Sequence, residues 1–284
     1  MTRFVPWLLR AAWAVLPLIA GPALAEALDG RDPTVRSAAS VGLWAVWALV
    51  LVATLVPHPI ALTVVRVAAP AGAVASALAA LDGHGWAALL WWLLVLAVAF
   101  LPETGADFVN GPAYPNERRF LLRPPGALLL GPIPLAWAVV VAAPTAALLL
   151  LASGAWLLGA VVVVVGLPVA AVLARSLHGL SRRWLVFVPA GVVVHDDLAL
   201  ADAMLFQRRG VAGIRPATTD STALDITQRA LGLALELSLK EPVTVNVTVP
   251  RTPVGKATTC TALLFTPTRP GALLAEARTR RIPT

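Results

Sequence analysis

The chain has 284 residues, of which 58% are hydrophobic and 13% charged, and its 22 Lys and Arg against 15 Asp and Glu leave a net charge of +7. Soluble domains carry about 25% charged residues, which excludes an ordinary water-soluble protein for most of this length. A single cysteine, Cys260, excludes an intrachain disulfide and sits in an apolar stretch that suggests a buried, inert thiol.

A helix needs about 20 mostly apolar residues to cross a bilayer. Six segments qualify: 5–25, 38–56, 60–81, 86–101, 127–151 and 155–174. Between them lie the charged stretch Asp29 to Arg36, the turn Pro57-His58-Pro59, the turn Asp82-Gly83-His84-Gly85 and the short break Ser153-Gly154. The first segment has a second reading as a signal peptide. Arg3 and Arg10 would form its basic start, Ala11 to Gly21 its apolar centre, and Ala23-Leu24-Ala25 its cleavage site. Pro17 and Pro22 interrupt that centre, so a retained helix is expected.

Basic residues orient membrane helices toward the cytoplasm. With the N-terminus inside, Arg3, Arg10, Arg118, Arg119, Arg123 and the arginine-rich tail all face inward, and only Arg31 and Arg36 lie outside. The expectation is a multi-pass plasma (inner) membrane protein with both ends cytoplasmic. Trp7, Trp44, Trp47, Trp86, Trp91 and Trp92 include several near span edges, where indole is favoured.

The spans hold no central Asp or Glu. Arg66 is the intramembrane charge, about 9 Å along a helix starting at Ile60. It reads either as an anion or gating site or as a long side chain snorkelling to the headgroups, and snorkelling is the expectation because no intramembrane carboxylate pairs with it. The third span is rich in small residues from Ala68 to Ser76, suited to the inside of a bundle, and Pro70, Pro144 and Pro168 kink their helices.

The loop from Pro102 to Pro125 carries Glu103, Asp107 and Glu117, then Arg118, Arg119 and Arg123. It reads equally as a lid or docking surface and as a basic segment lying on anionic lipid. With Arg175, Arg182 and Arg183 around the exit of the sixth span, these arginines form the expected membrane-surface contact, each contributing about 1 kcal/mol near an anionic leaflet.

Charge also places a boundary. Residues 1–176 hold 9 basic and 7 acidic side chains, and residues 177–284 hold 13 and 8. A transmembrane helical domain (1–176) and a cytoplasmic, mainly β domain (177–284) are expected. The tail's strand candidates are Trp184 to Val188 and Val192 to Val194, joined by the turn Pro189-Ala190-Gly191, then 203–206, 211–214, 231–239, 243–249 and 259–266. Pro270 opens a helix through about Arg281.

The stretch RRWLVFVPAGVVVHDDLALADAMLFQRR resembles the opening strands of a bacterial pleckstrin-homology-like (PH-like) domain, and LLFTPTRPGALLAEARTRR its last strand and capping helix. The resemblance covers roughly residues 181–282 and implies strands closed by one C-terminal helix. Phosphoinositide-binding members of that family place basic residues in the first hairpin loop. Here that turn is Pro-Ala-Gly, so no lipid-headgroup site carries over. The whole chain resembles actinobacterial multispan membrane proteins. Lys240 and Lys256 are the only lysines, and with the abundance of Ala, Val, Gly and Pro this is the bias of a high-GC bacterial genome.

Chemistry is not visible. His58, His84, His178 and His195 have no partner at metal-ligand spacing, and His195-Asp196-Asp197 reads as the end of a strand and the start of a turn. GxSxG, P-loop, GxGxxG and HExxH motifs are missing. No catalytic, cofactor or metal residue is expected, and the dispersed basic residues argue against nucleic acid. The expected partners are the lipid bilayer and a protein, or a second copy of the chain. The function read from this is a non-catalytic membrane scaffold displaying a PH-like domain for partner binding. The alternative is a small transporter or channel component regulated by its tail.

Overall fold

The computed structural model describes residues 4–81, 85–249 and 252–284. Arg3 and the turn residues Asp82, Gly83 and His84 lie outside the described residues. The chain divides into two compact units, one comprising the chain up to Gly111 with Pro134–His178, the other Pro112–Ile133 with Gly179–Thr284.

The first unit is helical: α1 (Phe4–Ala27), α2 (Pro33–Leu55), α3 (Pro59–Leu81), α4 (Trp86–Phe100), α5 (Pro102–Asn110), then, after the segment that leaves for the second unit, α7 (Pro132–Ala152), α8 (Trp156–Val161) and α9 (Leu167–Leu180). The π-helical Val162–Gly166 joins α8 to α9. Among the described residues, five helices are long and apolar enough to cross a membrane: α1, α2, α3, α7 and the continuous Trp156–Leu180. The pair α4–α5, bent by 56°, makes a sixth if counted as one span. Pro102 at the start of α5 produces that bend, since the residue before a proline is pushed out of the helical region and Leu101 has ψ 140°.

Proline also explains how the first helices lock. Pro17 has no N–H, so the carbonyl of Trp13 loses its usual helical donor. The Trp47 indole fills that role, donating to the Trp13 carbonyl at 3.0 Å, while the Trp13 indole donates back to the Trp47 carbonyl at 3.0 Å. Trp91 donates to the Ala12 carbonyl at 2.9 Å, tying α4 to the same stretch of α1. The small residues of α3 serve close packing as expected: a Cβ at Gly72 would overlap the Trp92 ring, and Val65, Ala69 and Leu62 are fully buried.

The second unit is built from two four-stranded sheets. In the first, the order is β1 (Arg118–Leu121), β2 (Trp184–Val188), β3 (Gly191–His195), β4 (Met204–Gln207), all antiparallel. In the second, β5 (Val211–Pro216) pairs with β7 (Leu235–Val249), β7 with β8 (Thr252–Phe265), and the two-residue β6 (Leu224–Asp225) runs parallel to β8. A short α6 (Gly126–Leu129) follows β1, and α10 (Pro270–Thr279) closes the unit by burying Leu273 and Ala277. Phe187, Val194, Ile214, Leu237 and Phe265 form the centre of the core.

Two differences from the sequence reading stand out. Residues 231–239 and 243–249 read as separate strands, but a single β7 starts at Leu235 and continues to Val249, with a register break between Ser238 and Val243 and 231–234 outside it. Pro242 lies in that break, where it cannot donate to a ladder and a bulge absorbs the irregularity. The loop 102–125 is neither a lid nor a lipid-bound segment throughout. Its first part is α5, and Arg118–Leu121 is an edge strand of the β unit, with Phe120, Leu121 and Leu122 buried.

Two outcomes are expected. Trp47→Phe leaves the Trp13 carbonyl unpaired and lowers bundle stability by about 1 kcal/mol, read as a lower unfolding midpoint in detergent. The fragment 179–284 alone lacks β1, so it melts without a cooperative transition, whereas 112–133 joined to it by a flexible linker restores one. Equal melting of the two fragments, followed by circular dichroism, would show β1 to be dispensable.

Candidate functional site

The six arginines expected at the lipid surface do not share one environment. Arg175 lies exposed on α9 in the helical unit, and the other five belong to the β unit. Arg118 and Arg182 are exposed. Arg119 is half-buried, 3.3 Å from Glu117 and with its guanidinium 5.2 Å from the centre of the Trp184 ring.

Arg183 is not a surface residue, and its assignment to lipid contact is corrected. Its side chain is 2% exposed and that of Asp196 0%. Nε and Nη2 donate to the two carboxylate oxygens of Asp196, both at 2.7 Å, a bidentate fork. Nη1 donates to the Arg123 carbonyl at 2.8 Å. The hairpin register explains the pairing: Trp184 faces His195, so the residues one step further from the turn, Arg183 and Asp196, also face each other. Asp196 in addition accepts from the Leu198 N–H at 3.2 Å, opening the turn after β3. The His195-Asp196-Asp197 cluster is thus structural. The His195 Nδ1 lies 3.0 Å from the Arg182 carbonyl.

Arg123 is likewise drawn into the domain. Its N–H donates to the Thr266 carbonyl at 2.8 Å, its Nε is buried with no hydrogen-bond partner among the described residues, and a Cβ on Gly232 would stand only 2.9 Å from that Nε. Gly232 has φ +118°, a conformation side chains rarely adopt, so glycine serves both backbone and packing there. Together with Leu122 donating to the Arg183 carbonyl at 2.9 Å and Thr268 donating to the Leu121 carbonyl at 2.8 Å, these bonds stitch 118–123 into the second unit.

In the helical unit, Arg66 does not simply snorkel. Its guanidinium stands 5.4 Å from the centre of the Phe100 ring of α4, and its Nε is buried without a hydrogen-bond partner among the described residues. The sequence places Asp107 in a loop, yet α5 packs on α1, α3 and α4, and Asp107 Oδ2 is buried with no hydrogen-bond partner among the described residues. Arg10 is the cation whose field reaches Asp107, while Arg10 Nε itself donates to the Thr54 carbonyl at 2.9 Å. Thr63 Oγ1 meets His178 Nδ1 at 2.9 Å, linking α3 to α9. The signal for this grouping is faint: Glu103 and Asp107 are one helical turn apart directly after a proline, the pattern of a first helical turn.

Cys260 is half-buried, and burial pushes its thiol pKa up, which disfavours the reactive thiolate. Among the described residues no group of three or more His, Cys, Asp or Glu could hold a metal ion. No family model, no curated protein and no solved structure matches the chain.

The buried pair sets a prediction. Asp196→Ala or Arg183→Met alone strands a buried charge and costs about 3–5 kcal/mol, while Arg183→Met with Asp196→Leu recovers most of it. Thermal melting of the full chain reads the stability. Amide exchange at Leu122 and Arg123 accelerates in the single variants. Unchanged exchange there would show that Arg183 does not hold the β1 segment.

Proposed function

We propose that the chain is a non-catalytic integral membrane scaffold that displays a PH-like domain on the cytoplasmic side of the plasma membrane for a protein partner. The observation that carries this is the composition of the β unit from two separate stretches, 112–133 between the bent pair α4–α5 and the membrane-length α7, and 179–284 after the last span. Because both stretches belong to one compact unit, they share a side of the bilayer, which agrees with the inward excess of arginine. Two four-stranded sheets closed by a C-terminal helix support the PH-like reading. The exposed Arg118, Arg175 and Arg182 suit an anionic leaflet.

A second reading has its own observation. The break between α4 and α5, the buried unpaired oxygen of Asp107 and the π-helical turn at Val162–Gly166 are features that also mark transport paths.

The test isolates the full chain in mild detergent beside a chain ending at Leu180, with partners identified by mass spectrometry. A defined protein recovered with the full chain only is the expected result. Reporter fusions after Tyr114 and Gly179 read cytoplasmic. Solute flux in proteoliposomes that Asp107→Asn abolishes, with no partner recovered, would replace the scaffold by the transporter reading.

A further inference from the structure

The β unit carries a groove of about 770 Å³ at one end of its two sheets. Its cations are Arg208, Arg209, Lys240 and Arg281, all exposed, and among the described residues none that lines it is acidic. Its lining also includes apolar residues, among them the exposed Leu205 and Ala212. Nearby Glu276 is already engaged by Arg280 at 2.7 Å. The groove therefore concentrates positive charge over an apolar surface.

Each cation is placed by the fold. Arg208 donates to the Arg280 carbonyl, and Arg209 Nε donates to Gln207 Oε1 at 3.1 Å. Lys240 sits in the β7 bulge made by Pro242, a device that redirects a side chain. Arg281 follows α10 with φ +57°, a left-handed conformation that glycine normally takes at this position. The Ile282 N–H bonds to the Ala277 carbonyl at 2.9 Å and the Arg281 N–H to the Arg278 carbonyl at 2.9 Å, the bond pattern that makes a left-handed residue necessary here. An arginine is thus held in a strained backbone where glycine would relieve the strain, and its side chain lines the groove.

The groove also runs between two sheet edges. β4 ends the first sheet and β5 the second. The β5 edge is partly occupied, since Ile214 donates to the Pro283 carbonyl at 2.8 Å. No strand pairs with the outer side of β4 among the described residues. Alternate backbone groups of an edge strand point outward and can accept an added strand.

We propose that this groove binds an extended acidic segment of a partner protein, lying against β4, its carboxylates meeting Arg208, Arg209, Lys240 and Arg281 and its apolar residues meeting Leu205 and Ala212. The proposal rests on the partner-display reading and specifies the chemistry of the partner. An alternating acidic and apolar strand matches both the charged and the apolar lining residues, because its side chains alternate between faces.

The test uses the full chain in neutral phosphatidylcholine nanodiscs and a fluorescent ten-residue peptide of alternating Glu and Val, with the Gln and Val peptide as control. Anisotropy should show binding of the acidic peptide that weakens with salt, and little binding of the control. The combined variant Arg208→Gln, Arg209→Gln, Lys240→Gln, Arg281→Gln should bind at least about 10-fold more weakly. Arg281→Gly alone separates recognition from folding: it should weaken binding about 3-fold while leaving the melting temperature unchanged or raised. Equal binding of both peptides, or full affinity in the combined variant, overturns the proposal. Binding of short-chain phosphatidylserine through the same four residues, without peptide binding, assigns the groove to lipid and also overturns it. In either case a partner still recovered through the β unit leaves the scaffold reading standing, whereas peptide binding without any recovered partner counts against the scaffold alone.

Discussion

Arg183 and Asp196 face each other across a hairpin and are shut away from water, so each charge is tolerable only because the other is there. The carboxylate takes Nε and Nη2 of the guanidinium, and the remaining nitrogen, Nη1, donates to the Arg123 carbonyl. This third bond matters most for the architecture. It fastens a stretch of chain 60 residues earlier in sequence to the root of the β unit. The adjoining strand β1 then completes the first sheet, and Phe120 packs edge-on against Phe187 with ring centres 5.7 Å apart. Removing the pair would loosen a strand, a sheet edge and part of the core together.

The helical unit uses a different means to the same end. Without water, every carbonyl freed by a proline needs a donor from elsewhere. The Trp47 indole supplies such a bond to the Trp13 carbonyl, four residues before Pro17, and the Trp137 indole ties α7 to α3 by donating to the Val67 carbonyl. Tryptophan suits this role because it brings one donor on a large apolar ring. Several of the tryptophans that read as interfacial anchors from their positions in sequence thus act as rivets between helices, and Trp13 and Trp92 stack edge to face at 5.4 Å.

These two constructions bear on function through connectivity. The β unit is assembled from two excursions of the chain, which passes between the two units at Gly111, at Ile133 and at His178. Such a unit suits the presentation of a surface to a partner, and its exposed arginines and basic groove give that surface a sign. The polar groups around α5 belong to the other unit and keep a transport reading physically meaningful, because half-buried Asp107 has a buried oxygen with no hydrogen bond among the described residues.

Much of this was legible in the residues alone. Long apolar runs can only be helices in a bilayer, and the turns at Pro57 and Ser153 separate them without reference to any neighbour. The β2–β3 hairpin follows from two apolar runs around Pro189-Ala190-Gly191, but the register that opposes Arg183 to Asp196 came from the structure. The tail helix follows from Pro270. Tertiary structure decided what no local pattern encodes. Four residues, Arg118 to Leu121, are too short to show a strand period, and only the open edge of β2 makes them one. The fate of six similar arginines differs because a guanidinium is equally at home in a fork with a carboxylate, on an aromatic ring or in water, and sequence spacing does not choose among these. Asp107 reads as a loop residue until Leu101 bends the chain and α5 packs against α1, α3 and α4, since burial is a property of neighbours distant in sequence.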